Sequence, residues 1–333
     1  MDRRIEFSVF TMPFGWRYPE LRAVFQEAER LGFESIWHHD DIMGHSPHVP
    51  LDVPLLDVWT ALSALAEATN DIRIGSLATP SPRRYPPLLA KIVASLDNIS
   101  GGRVNLGLGA GDDASQYKAW GQPFPAAAER VTMLRELIEI QLRMWTHERA
   151  SFEGKYFRIE NAVLSPKPVQ KPHPPIWIAI STGTKLMPRV AAEYASGVVV
   201  ESGDDNIVVQ VARAVEKNCE ELNRDISEIT MARFVWIIFT DGKMDFETTK
   251  GKAQVILGHG LPFTGHVGRL ILGTPSQIID ELPRLTLNLG FRHVIVNTVA
   301  VGLEVETGGL EGPAGNFLGA MRLFAQEVMP AIK

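Results

Sequence analysis

RIGSLATPSPRRYPPLLAKIVASLDNISGGRVNLGLG, residues 73–109, reads as strand, helix, strand. RIGSLA and RVNLGLG are short apolar runs, and PLLAKIVASLDNIS between them has the length and apolar spacing of an amphipathic helix. Strands that alternate with helices in this way form parallel βαβ units. The unit recurs on both sides. IEFSVF (5–10) precedes YPELRAVFQEAERLG, in which Leu21, Val24, Phe25, Ala28 and Leu31 follow i, i+3, i+4, i+7 spacing and Gly32 stops the helix. ESIWH leads to LDVWTALSALAEAT, and RVNLGLG leads, after a loop, to ERVTMLRELIEIQLRMW. IWIAI precedes KLMPRVAAEYA, where the internal Pro188 points to a helix starting only there. GVVV precedes NIVVQVARAVEKNCEEL, and MARFVWIIFT precedes one helix from about Asp245 and another from about Pro275 to Leu289. HVIVN is the last strand, followed by NFLGAMRLFAQEVMP. Eight such units predict an α/β fold, a (β/α)₈ TIM barrel, with residues 1–333 as one domain.

Two segments interrupt the repeat. ASFEGKYFRIENAVLSPKPVQKPHPPIW (150–177) predicts a small hairpin and a proline-rich crossover inserted before the fifth strand. HGLPFTGHVGRLILGTP (259–275) predicts a long glycine-containing loop between the seventh and eighth strands, of a length typical of lids and substrate-binding elements.

At 333 residues, 45% hydrophobic and 22% charged, the chain has ordinary globular composition and enough apolar material for a large barrel core. A net charge of −6 and a pI near 5.9 argue against general affinity for nucleic acid or anionic membranes. The start, MDRRIEFSVF, lacks the apolar region of a signal peptide. No apolar run approaches the ~20 residues that cross a bilayer, so a soluble, cytoplasmic protein is expected. Cys219 is the only cysteine, which excludes an intrachain disulfide, and its helical surroundings make it a buried residue rather than a nucleophile.

WHHDDIMGHSPH (37–48) places four histidines and two aspartates after the second strand, on the face where barrel enzymes build their active sites. A metal site would need ligands from other strands. The first strand offers none, the fifth to seventh offer only Glu201 and Asp241, and adjacent His38 and His39 point to opposite faces of a strand. No metal is expected. GLGAGDD (107–113) has Asp112 in place of the third glycine of G-x-G-x-x-G, lies on the fourth strand and has no helix directly after it, so a dinucleotide-binding domain is rejected. Gly109, Ala110 and Gly111 instead suit backbone that approaches a flat ligand, and Gly111 or Gly109 suits a positive φ. Small residues in GSLATP (75–80) leave room at the barrel mouth, and ISTGTK (180–185) can cradle a phosphate at a helix N-terminus.

Together, AERLGFESIWHHDDIMG, ALSALAEATNDIRIGSLATPSPRRYPPLLAKIVASLDNISGGRVNLGLGAG and SPKPVQKPHPPIWIA resemble the luciferase-like monooxygenase superfamily, in the branch dependent on the deazaflavin coenzyme F420. WHHDDIMGH is similar to the D-H-L-M-G-W pattern of reductases of the methylenetetrahydromethanopterin reductase and phthiodiolone ketoreductase type. The resemblance implies hydride transfer between the coenzyme C5 and an organic substrate, in a homodimer. It puts Asp40 beside the deazaflavin ring, Asp41 where the family usually has histidine, and His45 where it usually has tryptophan. Ser76 and Leu77 match a strand-three bulge where the family often has a non-prolyl cis peptide. Thr79 matches a ring- or tail-contacting position, Asp112 an active-site glutamate, and Ser115 a tail contact. Ser181, Thr182 and Gly183 match the backbone site for the coenzyme phosphate. The implied catalytic group is Asp40, Asp41, His45 and Asp112, with His45 and Asp41 as a donor relay.

Other residues of these segments read more plainly: His38 as packed, Arg83 and Arg84 as a solvated loop, Arg103 as an anchor of the barrel's lower end, and Trp37 and Trp177 as core. For His39 the alternation leaves open whether it or Asp40 faces inward. Three rival readings stand beside the first: an FMN-dependent monooxygenase sharing almost every cofactor motif, a metal-dependent barrel hydrolase using the HHDD cluster, and a binding protein that has lost catalysis. The substrate pocket is expected along residues 41–54 and 258–272, with His45, His48, His259, Phe263 and His266, for a moderately polar or aromatic small molecule; nucleic-acid and membrane partners are not expected.

Overall fold

The computed structural model describes residues 5–12, 14–44, 49–257 and 268–332. Four parallel strands open the barrel: β1 (Glu6–Thr11), β2 (Ser35–His38), β3 (Arg73–Pro80) and β4 (Val104–Gly109). The antiparallel hairpin β5 (Ala150–Glu153) and β6 (Arg158–Ala162) stands outside the barrel wall, as the sequence predicted. The wall continues through β7 (Ile176–Ile180), β8 (Gly197–Val200) and β9 (Thr230–Thr240). Between β9 and the last wall strand, β11 (His293–Val301), the chain adds β10 (Arg269–Gly273). β11 pairs with both β9 and β1, which closes a parallel barrel of eight strands.

Alternation along the strands sorts the core into two parts. Side chains facing the helices join a large shell that includes Val9, Ile36, Ile74 and Leu106. Those facing inward fill the barrel with Phe10, Trp37, Leu77, Trp177, Phe234 and Trp236 among others. Trp37 and Trp177 meet edge to face with centroids 5.2 Å apart, so both are core aromatics as read from the sequence. On the helix Tyr18–Arg30, Leu21, Val24, Phe25 and Ala28 of the predicted stripe are buried, and its last member, Leu31, is the half-buried C-cap packed against the core. Arg103 ties the lower end together through the carbonyls of Ala66, Thr69, Ile72 and Ser100. Cys219 is buried.

Three expectations are corrected. Residues 269–273, read as part of a loop, form β10. The cause is a mismatch in strand length: β8 ends at Val200, paired with Arg233, while β9 runs on to Thr240. The backbone groups of Val235–Phe239 that face away from β11 would then lack partners, and RLILG supplies them in parallel register. Residues 258–267 lie outside the described residues. The helix predicted to begin at Pro188 begins at Leu186, because a proline in the first turn removes an N–H that needs no partner there. A short helix, Ala114–Ala119, follows β4 where none was expected, and Asp113 caps it by accepting from the Ser115 N–H at 2.8 Å.

The bulge of β3 between Ser76 and Thr79 presses onto β4 at Gly107, where an added Cβ would overlap the Ser76 carbonyl. Gly107→Ala is therefore expected to destabilise the fold by about 1–3 kcal/mol through overpacking, read as a lower Tm in thermal unfolding.

Candidate active site

The C-terminal ends of β1, β2, β3, β4, β7 and β8 and the middle of β9 surround a cavity of about 290 Å³, near the lower bound of small-molecule sites. Part of its lining is apolar: Leu77, Ala78, Ala110, Ala179 and Phe234. The Leu77–Ala78 peptide bond is cis and lies in the β3 bulge, at the place the family resemblance indicated. Gly111 takes φ +79°, whereas Gly109 does not take a positive φ; an added Cβ at Gly109 meets Ala78 Cβ at 3.6 Å, an ordinary contact. Arg130 fixes this turn by donating to the carbonyls of Ala110 and Gly111 at 3.1 and 3.2 Å.

Asp40 is almost fully buried and fully engaged. Its Oδ1 accepts from Arg83 at 3.1 Å and from Arg84 at 2.5 Å, and its Oδ2 accepts from the Thr79 hydroxyl at 2.8 Å. Ser76 lies 3.0 Å from Thr79 Oγ1 and donates to the Gly107 carbonyl. The solvated-loop reading of Arg83 and Arg84 is thus corrected: Arg83 is buried, and Arg84 bridges Asp40 and Asp57. A buried carboxylate needs compensating charge and hydrogen bonds, and these two guanidinium groups supply them. Gln116 extends the network. It accepts from Arg83 Nη1 at 2.9 Å and from the Ile42 N–H at 3.1 Å, and it donates to Asp41 Oδ1 at 2.7 Å.

The four polar residues after Trp37 diverge. His38 faces the helices, packs edge to face on Phe25, and bonds Thr11 at 2.9 Å. Burial pushes its pKa down to about 3, so it stays neutral and packed, as the sequence suggested. β2 ends at His38, so alternation no longer governs the next residues, and His39, Asp40 and Asp41 all border the cavity. His39 packs on the inward-facing Phe10 and brings Nδ1 to 2.6 Å from Asp41 Oδ2. Burial alone would lower the His39 pKa; the charge and hydrogen bond of Asp41 outweigh it, and the imidazole titrates above its ordinary value. Asp41 is therefore paired with His39. His45, its expected relay partner, lies outside the described residues.

Two further acids face the same space. Asp112 lines the cavity, as expected, and is exposed. Glu201, just beyond β8, was weighed in the sequence only as a metal ligand; burial, and secondarily the charge of Asp112, push its carboxyl up to about 7. Its position after GVVV, at the C-terminal face of a wall strand, is the signal that marks it. Ser115 directs its hydroxyl to Asp113 at 2.6 Å. Ser181 and Gly183 line the cavity and Thr182 lies between them, before the helix Leu186–Tyr194. Among the described residues no group of three or more His, Cys, Asp or Glu is placed to hold a metal ion.

The chain belongs to the luciferase-like monooxygenase family, which matches residues 5–248, and the family reading of the sequence is borne out. Two relatives are named F420-dependent glucose-6-phosphate dehydrogenase. That of Intrasporangium calvum is 30% identical over 301 residues, covering 81% of this chain and 86% of the relative. That of Amycolatopsis mediterranei is 29% identical over 335 residues, covering 92% of each. The fold is shared with an F420-dependent secondary alcohol dehydrogenase solved with an F420–acetone adduct, at TM-score 0.80 and 18% identity over 99% of both chains. It is shared also with the coenzyme F420-dependent tetrahydromethanopterin reductase of Methanopyrus kandleri, at TM-score 0.76 and 23% identity over 99% of this chain and 100% of that one.

Proposed function

We infer that the chain is a coenzyme F420-dependent oxidoreductase acting on a small organic substrate in this cavity. The observation that carries the reading is the His39–Asp41 pair beside the apolar lining of Leu77, Ala78, Ala110 and Ala179 at the barrel mouth. The curated relatives named for F420 support it over the FMN-dependent monooxygenase, to which the family description also points.

The residues fit the coenzyme. Leu77, Ala78, Gly109, Ala110 and Ala179 give the cavity a small-residue apolar lining that would hold the deazaflavin ring. Ser181, Thr182 and Gly183 lead into a helix whose N-terminal dipole favours a phosphate. When bound, the deazaflavin supplies or accepts a hydride at C5. Asp40, clamped by Arg83 and Arg84, holds the β2 loop and Thr79 in fixed relation to the β3 bulge. His39 has Nδ1 turned to Asp41, which leaves Nε2 to give a proton to a carbonyl oxygen, or to take one from an alcohol. Asp112 and Glu201 are the other acids at the cavity; a second-donor role for Asp112 would require a desolvated carboxyl, and Asp112 is exposed.

The homodimer belongs to the same reading; a solution mass of one chain by light scattering would remove it. Among the described residues no helix is long and apolar enough to cross a membrane. The cofactor placement is tested at Gly183, where an added Cβ meets only Met187 at ordinary contact distance, 3.5 Å. Gly183→Asp is expected to keep the wild-type Tm and to weaken F420 binding about tenfold or more, because a carboxylate then faces the phosphate. Unchanged affinity in a folded variant would place the phosphate elsewhere.

A further inference from the structure

The charges on the cavity wall fall into two sets. Asp40 is neutralised by Arg83 and Arg84, Asp41 by His39, and Asp113 is occupied by the helix cap and by Gln116. Asp112 and Glu201 are different: among the described residues neither carboxylate has a lysine or arginine within ion-pair distance, and both face the cavity. Arg83 is the one cation among the described lining residues besides His39; its Nη1 and Nη2 are held by Gln116 and Asp40, and only its buried Nε lacks a partner. The sequence assigned residues 41–54 and 258–272 to the substrate pocket. HSPH (45–48) and GHGLPFTGHV (258–267) contain no lysine or arginine, and the one cation in the remainder of these segments, Arg269, borders a different pocket beside Asp204 and Lys250.

We propose that Asp112 and Glu201 make this cavity selective for uncharged or basic organic substrates and against phosphate monoesters, with Glu201 the specificity-determining residue. This rests on the oxidoreductase reading and separates the chain from the relatives named for glucose 6-phosphate. A phosphate dianion brought beside the ionised, half-buried Glu201 carboxylate meets repulsion that solvent screens only in part, to which the exposed Asp112 adds a smaller, more screened share. An alcohol, a ketone or an amine meets none, and an ammonium group gains a partner.

The test uses glucose 6-phosphate as the charged probe and glucose as its uncharged control, titrated calorimetrically, at a pH well above the value near 7 of Glu201 so that its carboxylate is ionised, into F420-loaded protein and into protein without coenzyme. Glu201→Lys is expected to raise the affinity for glucose 6-phosphate about tenfold or more over wild type and to leave glucose unchanged. Glu201→Gln keeps the shape, removes only the negative charge, and is expected to give a smaller gain of the same sign; it decides the matter if Glu201→Lys does not fold. Wild-type turnover of glucose 6-phosphate, no gain in the folded variants, or an equal gain for glucose would each overturn the proposal. Failure of F420 to bind, read separately by absorbance, overturns the oxidoreductase reading, while the titration without coenzyme still decides the charge selectivity.

Discussion

His39→Gln is expected to lower kcat by roughly 10²–10⁴, the usual contribution of a positioned acid or base, while F420 affinity stays near wild type. The side chain sits on Phe10 at the cavity wall and is oriented by Asp41 at 2.6 Å. Gln keeps a hydrogen-bonding end and loses the titratable nitrogen. The pH dependence follows from the raised His39 pKa. In carbonyl reduction the protonated imidazole is the competent form, so kcat is full at low pH and falls as pH rises through that raised value. In alcohol oxidation the neutral form is competent, and the profile is the mirror image. Asp41→Asn removes the charge that holds the value up, so burial prevails and the same limb moves to lower pH. Glu201, at about 7, titrates nearby, and repeating the profile in Glu201→Gln assigns the limb. A profile of the same midpoint in wild type and Asp41→Asn would show that His39 does not carry the proton.

The second large effect is on the fold. Asp40→Ala leaves Arg83 and Arg84 beside a site that has lost its carboxylate, and Arg83 retains only Gln116 among its partners at this site. Removing one member of a buried ion pair strands the other, at about 3–5 kcal/mol. For a chain of this size that is a fall in Tm on the order of 10 °C. Asp40→Asn fills the same volume and keeps an acceptor, so a smaller loss is expected. Thermal unfolding of the two variants beside wild type makes the comparison. An Asp40→Ala protein with wild-type Tm would mean that the two arginines find solvent and that Asp40 is not the keystone of the β2–β3 junction.

The barrel was legible because its signal is local. Each strand and helix announces itself by period, and the inserted hairpin by its own residues. β10 was not, because its existence depends on β8 stopping at Val200 while β9 continues, a comparison between strands far apart in the chain. At the site, motif positions located Asp40, Asp112, the β3 bulge and the Ser181–Gly183 turn at one cavity. Arg83 and Arg84 were misread because a charged pair in a loop looks solvated until its buried partner is known. The orientation of His39 was closed to alternation because the strand ends one residue earlier. Glu201 was seen only as a ligand that lacked companions; its environment, not its identity, makes it an acid titrating near neutrality.

The account turns on which coenzyme the cavity takes. Oxidised F420 and FMN, titrated separately into the purified protein and followed by absorbance and fluorescence, measure that directly. The account predicts saturable F420 binding at micromolar concentration or below and FMN weaker by about tenfold or more, a difference of at least ~1.4 kcal/mol. Preference for FMN would contradict it and return the chain to an oxygen-using monooxygenase.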